Sequence, residues 1–358
     1  FRTTVNIPDP SVFFNFLLRV KYDDGIALYL NGVDILRQNL SDVATFSSYA
    51  KGNAKDEADW KDFALPRFEL VPGLIAYWPF NSASEIEGNK VVVDLVAGMK
   101  GVVNGTGVTA SPGRTGAAGD YAIDFGADAS DTSVAIEYVN DWLKPASDAD
   151  QLTVSLWQKL HSVRSTSTFW FSAGSASGDM RNYQAHIPWG NNNIYFDTAG
   201  CCGGDTRITK AGGIDFLEWH HYVFIKDGEN KSIYIDGEIF HEGVNSGTLY
   251  DDWGTAYIGV NDNGGGGRMA GLVDDFGVWA RAITPKEVAT IYNGGSGSPL
   301  MTETLSAGAN TIAVEIHQAS GSSPDIRFDM MFHGEPHRVG GGNVSDPLFF
   351  SEPAILRA

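Results

Sequence analysis

Positive charge is scarce in this chain of 358 residues: 25 Lys and Arg stand against 44 Asp and Glu, for a formal net charge of −19. A surface that acidic repels phosphate backbones and anionic lipid, which excludes nucleic acid and anionic membranes as partners. Long apolar runs are missing too, so no segment is expected to span or insert into a membrane. Catalytic signatures are also wanting: there is no G-x-S-x-G, no H-E-x-x-H and no P-loop pattern. Helical periodicity is thin. Cysteine is the last scarcity, with only Cys201 and Cys202, adjacent in AGCCGGDTRI. Neighbouring cysteines close no loop between distant parts of a chain.

What is abundant points to strands. The chain holds 42 glycines and 9 tryptophans and is 43% apolar, a composition of short strands, tight turns and sizeable cores. Runs at 152–160 (LTVSLWQKL), 167–173 (STFWFSA), 193–198 (NIYFDT), 219–227 (WHHYVFIKD), 232–240 (SIYIDGEIF), 255–261 (TAYIGVN) and 271–280 (GLVDDFGVWA) read as strands, several of them alternating apolar and polar with period two. Residues 12–37 read as strand, DDG turn, strand, NG turn and strand. One helix is expected, with Thr284 as N-cap, Pro285 at the first helical position, and a stop at Gly294-Gly295. GGSGSP (294–299) reads as a flexible linker. Two more strands follow at 310–318 and 325–333.

At this length two domains are expected. Neither end of the chain carries enough strands to fold alone. The economical solution is all-β: two antiparallel β-sandwiches, the second inserted into the first. The boundaries are 1–72 plus 297–345 for the split sandwich, 73–296 for the insert, and 346–358 for a tail or the start of a following module. The sequence opens on FRTTVNI without a start methionine, and a piece of a longer secreted or surface protein is expected, monomeric within that multidomain chain.

The middle segment resembles the laminin-G-like, concanavalin-A-like jelly-roll family. GLIAYWPFN, EWHHYVFIKDGENKSIYIDGEIF, YIGVN and GLVDDFGVWARAITPKEVATIYN carry the resemblance. The flanks, DDGIALYLNGVDILRQNL and LSAGANTIAVEIHQASGSSPDIRFDM, resemble a jelly-roll module of large secreted bacterial proteins. The resemblance implies extracellular recognition modules, often for carbohydrate and often stabilised by calcium.

Some relatives of this jelly roll cleave glycans, which requires two carboxyl groups about 5–10 Å apart across a sugar. The glucanase relatives carry E-x-D-x-x-E, and no such run occurs here. Glu238 and Glu242 read as an edge strand. His220 and His221 are adjacent on a strand, point to opposite faces and cannot hold one metal ion together. A non-enzyme is expected. For calcium, the resemblance nominates Asp274, beside Asp275, with Asn81 and nearby carbonyls, an oxygen set suited to a hard cation. VNDNGGGGR (260–268) and Asp23-Asp24-Gly25 are weaker candidates that turn chemistry also explains.

The cysteine pair has three open states: free thiols, a shared metal, or a bond to each other. No C-x-x-C accompanies it, and exposed thiols are a liability outside the cell, so a vicinal disulfide is favoured. Glycines at 200, 203 and 204 give the backbone the freedom it needs. Such a ring is a rigid apolar knob able to pack on a sugar face. Around it stand Trp189, Asn191, Asn192, Asn193, Tyr195, Asp197, Asp205 and Arg207, which combine stacking surface with forked donors and acceptors. The expected role is a calcium-stabilised, non-catalytic glycan-binding or adhesion module outside the cell. The alternatives are a rigid spacer of a surface protein or an accessory region of a polysaccharide-degrading enzyme.

Overall fold

The computed structural model describes residues 1–7, 13–41, 43–53, 59–64, 68–128, 131–137, 139–174, 181–261, 266–298, 300–302, 305, 308–322, 328–336 and 348–350. The predicted tail therefore lies outside the described residues, apart from the short strand Leu348–Phe350. Strands dominate, and every pairing described below is antiparallel. The chain divides into two compact units, 1–68 with 302–358, and 69–301.

The first unit is built from both ends of the sequence. Arg2–Ile7 pairs with Gly308–His317, which pairs in turn with Gly25–Leu30, and Val33–Gln38 completes that four-stranded sheet. In a second sheet Phe13–Tyr22 lies between Phe328–Pro336 and Lys61–Ala64. Alternate positions turn inward from both chain ends, so Val5, Ile7, Leu18, Val20, Ile26, Leu28, Ile312 and Val314 share one core. Asp24 adopts φ 50°, and its carboxylate accepts a backbone bond from Ala319 at 2.5 Å, which is turn chemistry.

The second unit holds two eight-stranded sheets. One runs Thr109–Pro112, Tyr121–Asp124, Gly271–Trp279, Gln151–Leu160, His220–Asp227, Asn230–Ile235, Glu238–Val244, with Leu74–Trp78 also pairing to Gly271–Trp279. The other runs Arg207–Ala211, Asn193–Thr198, Arg181–His186, Ser167–Ala173, Trp253–Ile258, Ser133–Ile136, Lys100–Asn104, Val91–Val93. Phe169, Phe171, Tyr183, Phe196, Phe224 and Phe276 meet in one fully buried aromatic cluster. Burying each such ring contributes roughly 1.5–3 kcal/mol.

Three sequence expectations need correction. Asn140–Ala149 is a second helix, burying Leu143 and Ala146 and carrying Pro145 inside it. The expected helix is present as Pro285–Tyr292 with a full capping box between Thr284 and Glu287, but it ends on Asn293 in the left-handed conformation, one residue before the glycines. The segment read as a flexible linker is tied back to that helix: Gly297 donates to Tyr292 at 2.9 Å and Ser298 to Ile291 at 3.0 Å. These bonds satisfy the carbonyls a helix end leaves open.

Candidate functional site

The strands 167–173, 181–186, 193–198, 207–211 and 253–258 alternate sides as strands must. Phe169, Phe171, Tyr183, Ala185, Ile194, Phe196, Ile208, Ala256 and Ile258 enter the core. Their neighbours face the other way. Register sets them side by side: Tyr257 opposes Trp170, Trp170 opposes Gln184, Gln184 opposes Asp197, and Asp197 opposes Arg207.

The carboxylate of Asp197 is fully buried and held by two guanidinium groups. Arg207 donates a fork, Nε to Oδ1 at 2.5 Å and Nη2 to Oδ2 at 2.7 Å, and Arg181 Nη1 lies 3.4 Å from Oδ2. Forked guanidinium–carboxylate pairs fix geometry as well as charge. Each arginine also covers an aromatic ring, Arg207 over Tyr195 at 4.5 Å and Arg181 over Trp170 at 5.0 Å.

Cys201 and Cys202 are joined by a disulfide. Arg181 Nη1 donates to the sulfur of Cys201 and lies 3.5 Å from that of Cys202, and Arg207 Nη2 is 3.7 Å from Cys201. The loop is pinned by Ala199 N to Asn182 O and Gly200 N to Arg181 O, both at 2.9 Å. Gly200 takes φ 117°, a conformation closed to residues with a side chain. Cys202 is exposed and Cys201 half-buried.

The other end of the same strands carries the hairpin Trp189–Asn193. It is closed by Trp189 N to Asn193 O at 2.9 Å, and Asn191 Nδ2 donates to the Tyr195 hydroxyl at 2.6 Å. Trp189 packs on His186 with ring centroids 4.3 Å apart, and His186 stands edge-on to Tyr195 at 6.2 Å. Burial lowers the His186 pKa to about 4, so the ring is neutral, with Nδ1 3.0 Å from the Ser167 hydroxyl.

The nominated residues therefore do not form one cluster. Trp189, Asn191 and Asn193 sit at one end, Cys201, Cys202 and Asp205 at the other, and Tyr195, Asp197 and Arg207 between them. Asp197 needs correction as a direct ligand-binding group, because its oxygens are consumed by arginine; it positions both guanidiniums instead. Sequence reasoning missed Trp170, Arg181, Gln184, His186 and Tyr257. The outward-facing Trp in TFWFSA and the polar Gln in NYQAH were the available signals. Gln184 stands out: it is fully buried, and neither Oε1 nor Nε2 has a hydrogen-bond partner. Leaving such groups unpaired costs about 1–3 kcal/mol.

The three residues nominated for calcium were tested as oxygen donors. Strand Gly271–Trp279 pairs with Tyr121–Asp124 through Leu272 and Val273, and with Leu74–Trp78 from Phe276 onward, so Asp274 and Asp275 fall between the two partners. A bulge opposite Ser155 and Trp157, with Asp275 at φ 48°, accommodates the extra residue. Arg114 fills the gap. Its Nε is 3.0 Å from Asp275 Oδ2, its backbone N is 3.0 Å from Asp274 Oδ2, and its guanidinium lies over Trp157 at 4.9 Å. Tyr77 donates to the other oxygen of Asp275, and Asn81 Oδ1 accepts from Tyr121 N at 2.8 Å. Only Asp274 Oδ1 lacks a partner. Burial, with Asp275 beside it, raises the Asp274 pKa well above the carboxylate range. The set does not fit a hard divalent cation, which wants six or more free oxygens. Among the described residues no three acidic, His or Cys side chains converge on a metal position. The weaker candidate at 260–268 has residues 262–265 outside the described set, and Asn261 Oδ1 accepts from Gly266 N at 2.5 Å as in a turn.

The adjacent pair His220 and His221 has structural partners. His221 is buried with Nε2 2.8 Å from the Ser155 hydroxyl, and its pKa falls to about 3 through burial. His220 Nδ1 is 2.6 Å from Asp236, which raises its pKa, and Nε2 faces the Asp215 carbonyl at 3.1 Å.

A family model described as the concanavalin A-like lectin/glucanases superfamily matches residues 103–289, more than half of the chain. Among solved structures, the chain is similar to domain 4 of AbnA, a GH43 extracellular arabinanase from Geobacillus stearothermophilus in complex with arabinotriose. Identity is 18% and the TM-score 0.42, over 61% of this chain and 97% of that one. It is also similar to the receptor-binding domain of a botulinum neurotoxin C/D mosaic serotype, with 14% identity and a TM-score of 0.45 over 62% of this chain and 51% of that one. A Trypanosoma rangeli sialidase in complex with sialic acid gives 14% identity and a TM-score of 0.47, over 62% of this chain and 33% of that one. The chain thus spans about half of the toxin domain and a third of the sialidase. No curated protein matches the sequence.

Proposed function

We propose that this chain, which belongs to the concanavalin A-like lectin/glucanases superfamily, is a non-catalytic glycan-binding module of an extracellular protein. One observation carries the reading. A single outward sheet face presents Trp189, Tyr195, two ring-stacked arginines and an apolar disulfide in succession, with the exposed Asn191 amide at the Trp189 end. Sugars offer apolar C–H faces and hydroxyls that both donate and accept. Aromatic and apolar surface takes the first, and guanidinium and amide groups take the second.

The non-catalytic part of the reading rests on Asp197. Glycoside hydrolysis needs a free acid and a free base or nucleophile, and the one carboxylate in this row is bound by two arginines. An extracellular setting suits the disulfide, which persists where the environment is oxidising. Calcium is not assigned a role in this reading, because Arg114 meets both carboxyl groups, Asp275 through its guanidinium and Asp274 through its backbone N–H.

The test is a glycan array on the oxidised protein, followed by titration of any saccharide retained. Binding that weakens in Trp189→Ala and Asn191→Ala, with the thermal transition unchanged, supports the reading. A folded protein that retains no saccharide would favour the rigid spacer.

A further inference from the structure

The direction of the accessible groups says what kind of glycan fits. Two axes cross on the outward face. Across the strands run Trp170, Gln184 and Asp197, all of them buried. Along the strands the accessible groups follow one another: half-buried Trp189, Tyr195, Arg207 and Cys201, with exposed Cys202 at the end. Contacts link each to the next, Trp189 through His186 to Tyr195, Tyr195 to Arg207, and Arg207 to Cys201.

From this we infer that the ligand is an extended, linear saccharide chain lying parallel to strands Arg181–His186 and Asn193–Thr198, engaged by internal sugar residues. The inference deepens the glycan-binding reading and rests on it. Each of these strands holds six residues. At about 3.3 Å per residue the track is roughly 20 Å long, several times the length of one sugar ring. Trp189 and the disulfide stand at opposite ends, so one small sugar cannot touch both. Both ends carry exposed residues, Asn191 and Asn192 at one, Cys202, Gly204 and Asp205 at the other. A site of this form takes a chain passing through it, in contrast to a pocket for a terminal residue.

The test uses purified oligosaccharide ladders of one to eight residues from xylan, arabinan, mannan and β-glucan, titrated against the oxidised full chain. Affinity is expected to rise by roughly tenfold or more between the disaccharide and the oligomer that fills the track, then level off. Two variants act at separate ends, Trp189→Ala and the double change Cys201→Ser with Cys202→Ser. Both should weaken the filling oligomer, and no disaccharide should lose affinity to both. A monosaccharide or disaccharide bound as tightly as the octamer, or weakened equally by both end variants, overturns the extended track while leaving glycan binding intact. Failure of every ladder and every polymer to bind overturns both.

Discussion

Arg114 Nε lies 3.0 Å from Asp275 Oδ2, with both side chains nearly inaccessible, although the residues are far apart in sequence. The same arginine binds Asp274 through its backbone and lies over Trp157. A guanidinium therefore stands as the built-in cation of this domain where the sequence led to an expectation of calcium. Arg114→Ala leaves the buried Asp275 carboxyl without its guanidinium partner. It should cost about 3–5 kcal/mol, read as a lowered denaturation midpoint. Wild-type protein should keep its melting temperature within about 2 °C in calcium or in chelator. A large calcium-dependent rise would show that the cation site exists after all.

The buried histidines predict acid sensitivity. His186 and His221 have folded-state pKa values of about 4 and about 3, both lowered first by burial. The ordinary value is near 6.5, so their contribution to stability is fully present above that pH. It is lost as pH falls from 6.5 through 4 to 3, because unfolding allows both rings to charge. For His186 the lowering amounts to on the order of 3 kcal/mol. Glu85 acts in the opposite sense. Burial raises its pKa to about 7, so the stability it contributes is present at acid pH and lost as pH rises through 7. Chemical denaturation between pH 3 and pH 8 should show the acid loss, and His186→Gln should flatten it. An unchanged slope in that variant would assign the sensitivity elsewhere.

The vicinal disulfide closes no loop of intervening chain, so it adds no loop-closure stabilisation. Replacing Cys201 and Cys202 by serine should change stability by less than about 1 kcal/mol, while saccharide binding falls. Parallel unfolding curves and titrations separate the two. A several-fold larger loss of stability would make the ring a structural staple.

Asp197→Asn removes the charge that holds Arg181 and Arg207 together. A loss of about 3 kcal/mol is expected, since two partly buried guanidinium groups lose their shared counter-ion. Equilibrium denaturation checks the figure, and a neutral effect would show that the arginines find other acceptors.

Much of the fold was legible because the strand runs are rich in aromatic and β-branched residues and bounded by turn residues. NIYFDT, WHHYVFIKD and GLVDDFGVWA became strands, and Thr284 with Glu287 marked the helix start through the capping box. Other elements left weaker traces. Val91–Val93 and Ser133–Ile136 are too short to show a period, and Pro145 disguises the helix Asn140–Ala149. The site was half legible. Tyr195, Asp197 and Arg207 alternate toward the outward face, whereas Arg181–His186 is buried on both faces from Asn182 onward and so shows no alternation. Nothing near Asp274 announces Arg114, because that contact exists only once distant segments have folded together.

Titration of the retained polysaccharide into wild-type protein and into Trp189→Ala, with a melting curve for each, tests the central claim most directly. The account predicts saturable binding to wild type, weakened by roughly tenfold in the variant, at an unchanged melting temperature. A folded wild-type protein that binds no saccharide at any length would contradict it.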